Sequence, residues 1–255
     1  MVDLKKVTPQ DLWYTIGLIA TDGHLSKDRR HIDITSKDRK HLFTVRKRLG
    51  LTNKIGMKAR GAKKVKKYSH LTFGDVRFYH YLLGIGFVQR KSTQLGILKI
   101  NMSYFADFLR GVIDGDGSIS TWIHKSNQHR QWSLRITSAA PTFISWLRVE
   151  IEQYFNVRGK LYHYSYTYKK NPIYILKFGK IATQQIIGQT YYKDATGLSR
   201  KIQLKTECLR DGKKMVNYGG VLCPGAGTGR QPWLKIRWAQ ARVGSNPTLG
   251  TTIKL

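Results

Sequence analysis

Residues 10–22 place Leu12, Trp13, Ile16, Leu18 and Ile19 at spacings that gather on one side of a helix. Thr8-Pro9 is its start signal and Gly23 its stop. The period then changes. In HIDITS (31–36), Ile32 and Ile34 alternate with His31, Asp33 and Thr35, the pattern of a half-buried strand. Asp38 predicts an N-cap for a helix carrying Leu42, Phe43, Val45 and Leu49. KIGMKARGAKK and YSHLTFG read as a hairpin around a basic turn, and VRFYHYLLGIGF as a further helix. The same order returns later in the chain. WSLRITS is the alternating strand and TFISWLRVEIEQYF the helix. LYHYSYTYKKNPIYILKFG forms the hairpin across Asn171-Pro172, and a helix runs through 181–191. Each half reads α-β-β-α-β-β-α, an α+β unit with an antiparallel sheet.

The halves also match residue by residue. GLIATDGHLS (17–26) returns as GVIDGDGSIS (111–120), IDITS (32–36) as LRITS (134–138), FGD (73–75) as FGK (178–180), and RKS (90–92) as RKI (200–202). The offset grows steadily from 94 to 110 residues, as expected of a duplication whose second copy has longer loops. The expected divisions are 1–104 and 105–211, related by a pseudo-twofold axis, with 212–255 as a Gly-rich extension. That extension has no second copy and no sustained period. It reads as poorly ordered, with Trp233, Ile236 and Trp238 as its candidate anchors.

Charge narrows the partner. Of 255 residues 41% are hydrophobic, enough for a globular core, yet 45 Lys and Arg face only 15 acidic residues, a net charge of +30. Self-repulsion on that scale points to a polyanion, nucleic acid first and an anionic membrane second. No apolar run approaches the ~20 residues of a spanning helix, and MVDLKKVTPQ lacks a signal-peptide core, so an intracellular protein is expected. Cys208 and Cys223 form no CxxC pair, which disfavours structural zinc and fits a reducing compartment.

Acidic residues in the repeated motif then stand out. Gly17 and Gly111 fall mid-helix, where glycine costs about 1 kcal/mol against alanine. Gly111 with Gly115, and Gly17 with Thr21, give the small-residue spacing that lets two helix backbones approach. If the motif helices pack together at the axis, Asp22 and Asp116 end side by side at their C-termini. Helix C-termini carry partial negative charge, so paired carboxylates there are costly. Neither motif contains an Arg or Lys after its Gly-Asp step, and hard divalent cations are the expected remedy. Two carboxylates, adjacent carbonyls and water would then hold metal against DNA phosphates. The plainer reading is a structural turn. An EF-hand is excluded for want of the further Glu, and the duplication argues against a chance turn.

TIGLIATDG (15–23) and LRGVIDGDG (109–117) resemble the paired signature of the LAGLIDADG homing endonucleases, over about residues 10–210. The resemblance implies a monomer of two αββαββα halves whose antiparallel sheets form a saddle over double-stranded DNA. It also implies Mg²⁺-dependent double-strand cleavage, with two or three ions, at a long, rare site, usually for intron or intein homing. It makes Asp22 and Asp116 the metal-binding acids and gives Thr21 and Gly115 as carbonyl donors. Ala20 departs from the signature where Asp114 keeps it, at a position that the resemblance makes structural. Lys91 and Lys201 match basic residues that reach the active site. Lys37 matches a pocket-facing one whose counterpart is Ala139, so the two sites would be asymmetric. Ser36 and Ser138 precede these and would orient water.

Strand faces opposite the apolar positions supply the DNA-reading candidates. In the first half these are Arg29, His31, Asp33, Thr35, Lys58, Arg60, His70 and Thr72, with Lys63, Lys64, Lys66 and Lys67 on phosphates. In the second they are Ser133, Arg135, Thr137, Tyr162, Tyr164 and Tyr166. The tyrosines, Tyr168 included, read equally as DNA-facing or as packed under helices. Two rivals to a DNA endonuclease share the fold. One is a maturase that binds intron RNA, with or without cleavage. The other is a non-catalytic DNA-binding regulator, against which both retained acids argue. An intein is not expected, because no splicing residues flank the sequence.

Overall fold

A computed structural model describes residues 2, 6–59, 67–165 and 171–213, with side chains to 211. Helix α1, Pro9–Asp22, starts where Thr8 Oγ1 accepts from the Asp11 N–H at 3.2 Å, and Pro9 supplies a first-turn residue that needs no N–H partner. It passes without a loop into β1, Gly23–Leu25. Gly23 has φ −84° and ψ 165°, so it is not a left-handed stop. A Cβ there would lie 2.6 Å from Ile19 Cα, and glycine is required by that contact.

The first half continues with β2, His31–Ser36; α2, Arg39–Arg48; β3, Ile55–Lys58; β4, Tyr68–Gly74; α3, Val76–Gly84; and the single turn α4, Lys91–Gln94. Asp38 caps α2 as expected, accepting from the His41 N–H at 3.0 Å. The second half repeats the plan with α5, Phe105–Asp116; β5, Gly117–Ile123; β6, Arg130–Ser138; α6, Pro141–Phe155; β7, Lys160–Tyr164; β8, Ile173–Phe178; α7, Lys180–Thr190; and α8, Ser199–Lys213. The sheets have strand orders β1-β2-β4-β3 and β5-β6-β8-β7, antiparallel throughout.

Alternation puts Ile32, Ile34, Leu71 and Phe73 of one sheet, and Leu134, Ile136, Leu176 and Phe178 of the other, into one core with Tyr14, Ile16, Ile19, Phe108 and Val112. Helices α1 and α5 meet backbone to backbone. A Cβ on Gly17 would lie 3.0 Å from Gly111 Cα and collide with the Phe108 carbonyl, and one on Gly111 would lie 2.8 Å from Leu18 N. Both glycines exist to permit this approach. Arg110, fully buried, ties α5 to the segment after α7: it donates to the Thr196 and Thr190 carbonyls at 2.7 and 2.8 Å and to Asp107 at 2.8 Å. Thr196 in turn donates to Asp11 Oδ1 at 2.7 Å, closing the second half onto the first helix.

Helix α8 was not legible in the pattern, whereas β1 and β5 fill the first strand place of each expected α-β-β-α-β-β-α half, a place the pattern put on no particular residues. Helix α8 packs on α7 through Gln184 Nε2, which donates to the Cys208 carbonyl at 3.0 Å, and Trp132 Nε1 donates to Asp211 at 2.8 Å. The 214–255 stretch, with Trp233, Ile236 and Trp238, lies outside the described residues.

Candidate active site

Asp22 and Asp116 are the last residues of α1 and α5. The helix crossing brings them together: a Cβ on Gly115 would stand 3.4 Å from Asp22 Oδ2, so the Asp22 carboxylate lies against the end of the other motif helix. Asp116 is exposed and Asp22 half-buried. Among the described residues no three or more His, Cys, Asp or Glu are grouped so that they could hold a metal ion. The acidic donors here are therefore this pair of carboxylates.

The expectation that metal alone would answer the charge at these helix ends needs correction. Lys91 and Lys201, far away in sequence, do part of it. Lys91 Nζ donates to the Ala20 and Thr21 carbonyls at 3.0 and 2.6 Å. Lys201 Nζ donates to the carbonyls of Ile113, Asp114 and Gly117, the last two at 3.1 and 2.9 Å. Each ammonium caps the helix end to which the dipole draws a cation. Burial lowers the pKa of both lysines to about 8, against the opposing pull of Asp116 and Asp22 on Lys91 and of Asp114, Asp22 and Asp116 on Lys201. They are 6% and 2% exposed, so neither is a solvated surface lysine. The Thr21 carbonyl, expected to face metal, accepts from Lys91; the bonds of Lys201 go to Ile113, Asp114 and Gly117 and not to Gly115.

Asp114 takes no place among the outward acids. It is buried and accepts from Tyr14 Oη at 2.7 Å, Tyr191 Oη at 2.5 Å and the Leu198 N–H at 2.8 Å. Beside it opens a cleft of about 540 Å³ lined by Asp22, Ser36, Lys37, Tyr68, Gly115 and Arg200, among others. Lys37 Nζ lies 5.6 Å from the centre of the Tyr68 ring. Sequence reasoning anticipated Asp22, Ser36, Lys37 and Gly115 here and missed Tyr68 and Arg200. Arg200 immediately precedes Lys201 and Tyr68 pairs with Lys58, so their neighbours carried the only available signal.

The outward sheet faces depart from the simple list of readers. Asp33 is a hub. Its Oδ2 accepts from Lys58 Nζ at 2.5 Å and Thr35 Oγ1 at 3.3 Å; its Oδ1 accepts from Thr72 Oγ1 at 2.7 Å and pairs with His70 Nδ1 at 3.3 Å. Burial would raise its pKa, but the bonds from Lys58 and Thr72 win and hold it low. Asp33 thus organises four of the expected readers. His31 pairs with Asp28 at 2.5 Å, and that bond with those from the His31 and Arg30 amides holds the Asp28 carboxyl far below the usual range. Arg29 lies in the β1–β2 turn with φ 57°, and is not on a strand face. Ser133 is wholly buried on β6, an inner strand flanked by β5 and β8, with no partner for its Oγ among the described residues, so it is not placed to read DNA. Arg135 and Thr137 are exposed. Tyr162 and Tyr164 are exposed too, their rings stacked 6.5 Å apart, which settles their orientation against packing under helices. Lys67 is exposed just before β4, whereas Arg60, Lys63, Lys64, Lys66, Tyr166 and Tyr168 lie outside the described residues. No helix among the described residues is long and apolar enough to cross a membrane.

No protein-family model and no curated protein sequence matches the chain. Solved structures do. Mesophilic variants of the homing endonuclease I-DmoI align over 78% of this chain and 97% of theirs, at 15% identity and TM-score 0.50. The LAGLIDADG homing endonuclease I-GzeII, solved with its DNA target, aligns over 85% of this chain and 94% of its own, at 11% identity and TM-score 0.53. The chain has the fold of the LAGLIDADG homing endonucleases: two antiparallel four-stranded sheets, two repeated halves, and motif helices paired between them.

Proposed function

We propose that the chain is a metal-dependent endonuclease that cuts both strands of duplex DNA at a long, specific site. One observation carries this reading. The glycine contact of α1 with α5 delivers Asp22 and Asp116 to one place, at the ends of helices already capped by lysines. A structural turn has no use for a second carboxylate there. Asp22, Asp116 and the Gly115 carbonyl form a hard, all-oxygen donor set that fits Mg²⁺, in the number of two or three ions. Bound there, the metal would polarise phosphate oxygens and activate water. The chain's own residues do the rest. Lys91 and Lys201 hold the last helical turns fixed, and so hold the two carboxylates. Lys37 and Ser36 line the cleft and can take phosphate charge or order a water. The outward sheet faces and the +30 charge suit duplex DNA as the partner. The protein would act as an intracellular monomer of halves 1–104 and 105–211 with a 212–255 extension, serving intron homing.

Purified full-length protein with Mg²⁺, incubated with a duplex library, should yield double-strand breaks at a selected sequence. Asp22→Asn and Asp116→Asn should each abolish them while binding survives; full cleavage by either variant sinks the assignment. Tight, selective binding of structured RNA without DNA cleavage would favour the maturase alternative.

A further inference from the structure

On the face of the second sheet turned away from the core, Ser118, Arg135, Lys177 and Lys160 stand directly opposite one another on four neighbouring strands. Among the described residues the three cations of this row have neither hydrogen bond nor ion pair from their side chains. Like charges placed opposite on a sheet repel, so the row is unfavourable until an anion or a set of acceptors meets it. The neighbouring rows change chemistry. Thr137, Ile175 and Tyr162 face one another in the next, and Ile173 faces Tyr164 in the one beyond. Tyr162 stacks on Tyr164 along β7, and both are exposed.

The first sheet is built differently at the matching place. The repeat aligns IDITS with LRITS, which puts Asp33 where Arg135 stands. Its row is His24, Asp33 and Thr72, with a carboxylate at the centre and Lys58, Thr72, Thr35 and His70 closed around it. Each oxygen of that carboxylate already serves two partners. One sheet face is thus an open row of cations beside an apolar strip, and the other is a charge-compensated cluster.

We infer that the second sheet reads a guanine through Arg135 and a thymine beside it through Ile175 and Tyr162. The inference rests on the proposed DNA-cleaving reading. Guanine shows two acceptors, O6 and N7, in the major groove, which match the paired N–H groups of an arginine fork. Lys177 and Lys160, flanking it, add donors to neighbouring acceptors or phosphates. Thymine alone offers a methyl group there, for which an Ile–Tyr–Thr strip is the complement. Same-face residues on a strand are about 6.6 Å apart, so adjacent rows address different base pairs. The first sheet places an acid where the guanine reader stands in the second, so this readout belongs to the half of the site under residues 117–178.

Selection of the full chain on randomised duplex DNA without Mg²⁺, followed by sequencing of the bound fraction, tests this. Wild-type protein should enrich one guanine roughly tenfold over other bases. In Arg135→Lys, which keeps the charge and loses the fork, that position should relax while the rest of the site persists. Tyr162→Ala should relax a nearby thymine and leave the guanine. Both side chains are exposed, so these variants should fold as wild type, which their melting curves check. An enriched site left unchanged by Arg135→Lys, with Arg135→Ala weakening all sequences equally, would make Arg135 a phosphate contact and overturn the inference alone. Failure of the wild type to enrich any sequence would overturn the proposed function and the inference together.

Discussion

Tyr14 of the first motif helix donates its hydroxyl to Asp114 of the second, 2.7 Å away, at the place where the first motif has Ala20 instead. The signature aspartate of one half is therefore a joint between halves. Tyr191 and the Leu198 amide complete its shell of donors. In Asp114→Asn an amide NH₂ must face at least one of these donors. The change should cost about 2–4 kcal/mol in urea denaturation, since bonds to a charged group are lost and a buried donor is left unmet. Tyr14→Phe should cost less, and the pair combined should be clearly non-additive.

Gly17→Ala and Gly111→Ala each gain about 1 kcal/mol of intrinsic helix propensity. The added methyl has no room between α1 and α5, so overpacking should outweigh the gain and leave a net loss of about 2 kcal/mol. Gly84→Ala, at the end of α3 with nothing within 4 Å of the added carbon, is the control and should not destabilise. Equal melting temperatures for all three would disprove the close-contact account.

Lys37 lines the cleft beside Asp22, and the matching residue of the second half is Ala139. Lys37→Met should therefore impair one strand cut and spare the other. On a supercoiled plasmid bearing the target, nicked circles should accumulate, with linearisation slowed on the order of 10- to 100-fold. Equal slowing of both strands would place Lys37 outside the chemistry.

His41 supplies a pH test. The Tyr14 hydroxyl gives its proton to Asp114, so His41 Nε2 must be the donor in their 3.1 Å contact. That fixes the neutral tautomer with a bare Nδ1, which is buried without a partner among the described residues. Burial lowers the His41 pKa, and Lys201 and Arg200 push the same way against Asp114 and Asp38. With the folded value below the unfolded 6.5, the unfolded chain binds the proton first. Stability should be full above pH 6.5 and fall as pH drops from there toward the folded value. Melting temperatures from pH 7.5 to 5 should show that loss in the wild type and a shallower one in His41→Gln, relative to each protein at pH 7.5. Parallel curves would clear His41 of the effect.

Much of the architecture was legible because it rests on local patterns. The alternation of Ile32 and Ile34, the Asp38 cap and the spaced glycines each act within a few residues. Helix α8 escaped for a physical reason: its inward positions include Lys201 and Lys205 beside Leu204 and Cys208, so charge masks the apolar stripe. Strands β1 and β5 were counted in each half but given no residues, because they grow from the motif helices without a turn. In the site, the acids and lysines could be named from the repeat, but not that Lys91 and Lys201 would spend their hydrogen bonds on helix carbonyls. Nor could Asp33 be seen as a hub, since its partners depend on strand register. Ser133 has the right parity for an outward residue, and only its packed surroundings bury it.

The caps on the motif helices have a consequence for synthesis. Lys91 reaches back 71 residues to Ala20, Lys201 reaches 88 residues back to Ile113, and Thr196 reaches 185 back to Asp11. A chain leaving the ribosome can finish its first helix end once residue 91 is out. The second stays open until the ribosome has passed residue 201. Assembly of the site therefore follows an order imposed by translation, and the end of the second motif helix, with Asp116, gains its cap only after Lys201 has been made.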